Sequence, residues 1–110
     1  TEMRIYLDDE RNPKVEQFDK IVRSIKEFEK EVLMCDLRDI AITYISFDHD
    51  LGSDLPETTG YACAKLLCDI DQEFAVLSND FTFNVHSANP IGAKNIQMYM
   101  DQYLNSKGVV

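Results

Sequence analysis

The run AITYISF at residues 41–47 is the most continuous apolar and β-branched stretch of the chain, and it stops abruptly at Asp48, His49 and Asp50. Such a run marks a strand buried on both faces, as in a parallel sheet covered by helices. Parallel neighbours need crossover connections, so this one strand commits the chain to strands that alternate with helices.

The remaining sequence supplies them. MRIYL (3–7) is a compact apolar run cut off by DDERNP, whose Asn-Pro pair signals a turn. FDKIVR (18–23) carries charges as an edge strand does. Ser24 stands three residues before Glu27, a capping box, and Ile25, Phe28, Val32 and Cys35 follow at helical spacing, which predicts a helix over 25–37. One long helix over 13–34 is the competing reading, because Val15, Phe18, Val22, Ile25 and Val32 also fall near one face. Strand then helix is preferred, since a start signal at Ser24 and Glu27 would be wasted inside a continuous helix.

Farther on, Thr59 can cap a helix whose Cys63, Leu66, Leu67 and Ile70 form an apolar stripe. FTFNV (81–85) alternates as a strand with one exposed face does. Pro90 suits a first helical position, and Gly92, Ile96, Tyr99, Met100 and Tyr103 give the last helix its inner face. The fold class that follows is α/β: a small doubly wound, mostly parallel four-stranded sheet flanked by about three helices.

At 110 residues and 45% hydrophobic, the chain suits one domain over 1–110 with a single core. A formal charge of -9 argues against long nucleic acid as a partner, because polymer binding draws on Lys and Arg contacts to phosphate, but it leaves room for a small nucleotide. Cys35, Cys63 and Cys68 lie in apolar helical patterns with no CxxC pair, as reduced core thiols of a cytoplasmic protein do. No apolar run is long enough for a membrane span, and no basic region followed by a hydrophobic segment opens the chain, so neither span nor signal peptide is expected.

In open parallel sheets ligands bind beyond the carboxyl ends of the strands, where strand order reverses. Asp8, Asp9 and Glu10 follow the first strand, Asp48, His49 and Asp50 the central one, and His86, Ser87 and Asn89 the last. All three clusters therefore converge on one rim, and they hold both histidines of the chain. Taken singly each has a bland reading: acids form turns and caps, and Asn89 can cap the last helix through its side-chain oxygen. Tyr61, Tyr99 and Tyr103 suit packing.

Four carboxylates on one rim, Asp8, Asp9, Asp48 and Asp50, repel unless they share a divalent cation, and hard oxygen ligands suit Mg2+ or Mn2+. A metal would let an acidic protein hold a phosphodiester. His49 and His86 can deprotonate an attacking water and protonate a leaving ribose oxygen, with Asp50 completing the metal shell or orienting His49. Ser87 and Asn89, at a helix start, can hold non-bridging oxygens, and Arg11 and Lys94 are candidate phosphate clamps.

YLDDERNP, IVRS, SFDHDLG, TGY and VHSANPIG together resemble the cyclic-phosphate processing receiver-like family, a compact relative of response-regulator receiver domains. The resemblance implies a receiver-like (flavodoxin-like) fold with Asp8, Asp9 and Asp48 in the metal-binding and phosphoacceptor region. His49, Asp50, His86, Ser87 and Asn89 match the motifs that set the group apart. It also implies action on a cyclic phosphate, either a nucleotide 2',3'-cyclic end or a cyclic nucleotide signal. Two departures argue against an ordinary phospho-switch receiver: no lysine follows a fifth strand, and the helix between the first two strands is shortened to a connection of about ten residues. The leading expectation is a metal-assisted phosphodiesterase-type hydrolase. The alternatives are a metal-free route through the two histidines, and a binding module that sequesters its nucleotide or cyclic phosphate without turnover.

Overall fold

A computed structural model describes residues 2–14, 17–52 and 55–107. β1 (Glu2–Leu7), β2 (Lys20–Val22), β3 (Ala41–Phe47) and β4 (Leu77–Val85) form one all-parallel sheet in the order β2-β1-β3-β4. α1 (Ile25–Leu37) links β2 to β3, α2 (Gly60–Phe74) links β3 to β4, and α3 (Pro90–Ser106) ends the chain, with a single 3-10 turn at Pro56–Thr58 before α2. The order reverses between β1 and β3, as a doubly wound sheet requires.

Local signals set the helix starts. Ser24 Oγ accepts from Glu27 N at 3.2 Å, Thr59 Oγ1 from Ala62 N at 3.2 Å, and Asn89 Oδ1 from Gly92 N at 3.0 Å. Glu27 does not return a bond to Ser24; its carboxylate accepts from Arg23 N at 2.8 Å, so the capping box closes one residue early. β2 followed by α1 is the strand-then-helix reading of this region; Val15, invoked by the one-helix reading, lies outside the described residues. Phe18, expected in the strand, precedes it in the loop. β4 starts at Leu77, four residues before the expected run, and a register shift between Ile42 and Tyr44 accommodates the extra length.

β2 to β3 and β3 to β4 step in the same direction across the sheet, and right-handed crossovers therefore put α1 and α2 on the same face. α1 packs on α2 and α2 on α3, so all three helices form one layer. Ile5, Leu7, Ile45 and Phe47 meet Phe28, Val32, Leu67, Ile96 and Met100 in one buried cluster under that layer. Each such side chain contributes about 1.5–3 kcal/mol on burial. Cys35, Cys63 and Cys68 are buried free thiols, pushed by desolvation to about 11, 12 and 12.

The connection from β1 to β2 steps the other way and has no helix among its described residues. β3 is consequently buried by helices on one face only. On the other, Tyr6 pairs in register with Ser46, and Ser46 with Asn84, while Arg4 pairs with Tyr44. Phe18 from the loop lies over them, its ring 5.2 Å from Tyr6 and 5.8 Å from Tyr44. Among the described residues no helix is long and apolar enough to cross a membrane.

At the amino end of the sheet, Asp71 of α2 is buried and accepts from Leu77 N (2.8 Å), Tyr103 Oη (2.6 Å) and Lys107 Nζ (2.5 Å). It ties the ends of α2 and α3 to the start of β4.

Candidate active site at the carboxyl rim

The first residue after each long strand carries the ladder one step further. Asp8 N donates to Val22 O (3.1 Å), Asp48 N to Leu7 O (3.0 Å) and His86 N to Phe47 O (2.9 Å). Three residues from three separate motifs are thereby fixed in one row by backbone bonds alone. Their ligand atoms, one from each, all lie within 4.8 Å of one another.

Asp8 is the most heavily bonded of the three. Its Oδ1 accepts from Glu10 N (2.9 Å) and Arg11 N (2.7 Å), and its Oδ2 from Arg11 Nε (3.0 Å) and His86 Nε2 (3.0 Å). Burial pushes its pKa up, but the Arg11 and Glu10 amides, His86 and the Arg11 guanidinium more than offset this and hold it below the ordinary value. Arg23 braces the loop from behind, donating to Asp8 O, Arg11 O and Asn12 Oδ1.

Asp48 is placed otherwise. Among the described residues its Oδ1 accepts from His49 N alone (2.9 Å), and the Arg11 guanidinium stands 3.7 Å from Oδ2. Desolvation first, and the neighbouring Asp8 charge second, raise its pKa. A buried carboxylate beside another, short of countercharge, is a strong place for a cation. The donor set of two carboxylates and one imidazole fits Mn2+, and its hard oxygens fit Mg2+.

His86 reaches back over β3. Its Nδ1 lies 2.7 Å from Ser46 Oγ, and its ring stacks on Tyr6 with centroids 4.5 Å apart and planes 6° from parallel. In the neutral ring that donates from Nε2 to Asp8, Nδ1 accepts from Ser46; the Ser46 hydroxyl can equally accept from Nδ1–H and leave Nε2 free as a ligand. Ser46 thus supports either tautomer. Tyr6, next to Asp8, has its pKa raised by desolvation and then by that charge.

The remaining expected residues divide. Asp9 lines an acidic cavity of about 340 Å3 together with Asp8, Glu10, Arg11, Asp48 and Asp50, but stands outside the group of three close ligands, where His86 takes the place expected for it. Asp50 is exposed, bonds His49 Nδ1 at 2.9 Å and lies 3.5 Å from Asn89 Nδ2; the His49 bond lowers its pKa. His49 is packed against the first turn of α3, where a Cβ on Gly92 would come within 2.3 Å of its Cγ. Only glycine at 92 leaves room for the imidazole. Gly60 is equally constrained, since a Cβ there would meet the Asp48 carbonyl oxygen at 1.7 Å.

Ser87 Oγ accepts from Asn89 N at 3.0 Å, and the Asn89 oxygen is committed to the α3 cap, so both lend their acceptors to the helix start. Lys94 is exposed on α3 and lines neither this cavity nor the larger one on the open sheet face. Sequence reasoning passed over Tyr6, Ser46 and Arg23. Ser46 carried a signal, as a hydroxyl one residue short of the end of an otherwise apolar strand; Arg23 lay within the quoted IVRS motif without a role.

A four-stranded parallel sheet with paired aspartates where its order reverses is a receiver-like architecture. The chain belongs to the cyclic-phosphate processing receiver domain family, which matches residues 3–102. Neither a curated protein nor a solved structure matches it.

Proposed function

We propose that the domain is a metal-assisted phosphoesterase that opens a cyclic phosphate on a nucleotide. The observation that carries this reading is Asp48, a buried carboxylate beside Asp8 and His86 whose one ion pair among the described residues, to Arg11, spans 3.7 Å. Asp8, Asp48 and His86 would hold Mg2+ or Mn2+, with Asp9 and Asp50 on the wall of the same cavity. When bound, the ion supplies charge to polarise a phosphoryl oxygen and acidify a water.

The side chains of the domain divide the remaining work. Arg11 is half exposed and bonded to Asp8, so its guanidinium can turn part of its fork to a non-bridging phosphate oxygen. His49, with Nδ1 held by the Asp50 carboxylate, keeps Nε2 without a partner among the described residues and can take the proton of an attacking water. As the water oxygen bonds to phosphorus, the bond to one ribose oxygen breaks, and that oxygen takes up a proton; the product is a phosphomonoester.

One observation favours sequestration without turnover as the second reading. His86 lines the open-face cavity, whereas His49 lines neither cavity, so the two imidazoles do not flank one space as an acid/base pair would. Product analysis decides. A 2',3'-cyclic nucleotide incubated with the protein and Mn2+ is expected to gain one water by mass, and Asp48→Asn is expected to stop this. Tight binding with the ligand returned unchanged would replace hydrolysis by sequestration.

A further inference from the structure

The face of the sheet that carries no helix holds a second cavity, of about 480 Å3, within the usual range of small-ligand sites. Tyr6, Tyr44, Ser46 and Asn84 from three adjacent strands line it, with Phe18 and Lys14 from the loop. Its chemistry is the inverse of the acidic cavity. In a chain of net charge -9, its described lining holds Arg11 and Lys14 and no carboxylate. Arg11 lines both cavities, and His86 lines this one while bonded to Asp8 in the other. The two spaces therefore meet at Arg11, one aromatic and cationic, the other built for a metal.

A ligand that fills both must be anionic where they meet and flat and aromatic beyond. Tyr6 is already stacked on His86, and Arg4 stands 4.5 Å over the Tyr44 ring from outside the cavity, so Tyr44 and Phe18 offer a bound plane the ring surface with which they line the cavity. The Asn84 carboxamide makes no hydrogen bond to any described residue, and it offers a donor and an acceptor to the edge of a heteroaromatic ring. We propose that this cavity is a nucleobase subsite, in which Tyr44 and Phe18 pack a base, Asn84 bonds its edge, and Arg11 receives the phosphate at the mouth of the acidic cavity. The proposal rests on the reading of the acidic cavity as the phosphate site, and it gives the base of that nucleotide its own place to bind.

The test compares 2',3'-cyclic AMP with a methyl riboside cyclic phosphate that lacks the base, each titrated calorimetrically with Mn2+ present. The parent is expected to bind the nucleotide about tenfold or more tightly than the base-free analogue, in line with what one stacked base contributes. Tyr44→Leu and Asn84→Ala should lose most of that preference; Asn84 is exposed, so its variant decides if Tyr44→Leu fails to fold. Equal affinities in the parent would overturn the subsite even if the nucleotide is hydrolysed, as would binding of neither ligand. A preference for the nucleotide that both variants lose, in a protein that never opens the ring, would uphold the subsite and remove the phosphoesterase reading alone.

Discussion

Two buried aspartate sites occupy opposite ends of the sheet, and they are built on opposite principles. Asp71 at the amino end has a full set of partners: a backbone amide, a phenol and an ammonium, all within 2.8 Å. Burial works against its ionisation, but Lys107, Tyr103 and the Leu77 amide outweigh it, and its pKa falls. Asp48 at the carboxyl end has one amide and, at 3.7 Å, a guanidinium that it shares with Asp8, and its pKa rises. Burial of an acid is therefore not in itself a sign of function. The sign is whether the fold supplies the countercharge or leaves it to a ligand.

The comparison breaks most visibly at Asp71. Asp71→Ala strands a buried phenol and an ammonium, and should cost about 3–5 kcal/mol in chemical denaturation, with no change in any metal response. A loss below about 1 kcal/mol would remove the distinction between the two ends.

The pH dependence of stability should run in opposite senses. Asp71 has a native pKa below its ordinary 3.8, so its contribution is fully present above 3.8 and is lost as pH falls through the lowered native value. Asp48 has a native pKa above 3.8, so its contribution is present below 3.8 and is lost as pH rises through the raised native value. Metal-free Asp48→Asn should then equal or exceed the parent in stability at neutral pH, whereas Asp71→Asn should fall below it and show a flatter acid limb. Urea midpoints of the parent and the two variants across acid and neutral pH check both signs.

What the sequence disclosed, and what it did not, follows the range of the interactions. The caps at Ser24, Thr59 and Asn89 act within three residues, and the row of Asp8, Asp48 and His86 follows once the strands are placed, because each is the residue after a strand. Asp71 was invisible, since its partners Tyr103 and Lys107 lie 32 and 36 residues away. The open face was likewise hidden. AITYISF reads as buried on both faces because Tyr44 and Ser46 are compatible with a covered face, and only the direction of each crossover shows which face lacks a helix. The first part of β4 was missed because Ser78, Asn79 and Asp80 read as a loop.

The smallest effect is expected at Lys94, which lines neither cavity: Lys94→Ala should leave product formation and ligand affinity within about twofold of the parent, in contrast to Arg11→Ala. A larger loss would extend the phosphate site onto α3.

The claim that Asp48, which shares Arg11 with Asp8, takes further countercharge from a bound cation is tested most directly by melting the protein across a series of Mn2+ concentrations. The parent and Asp71→Asn should both gain melting temperature with the logarithm of Mn2+ concentration once it exceeds the dissociation constant, while Asp48→Asn should not respond. An Asp48→Asn protein that gains as much as the parent, or a parent that does not respond at millimolar Mn2+, would contradict the account.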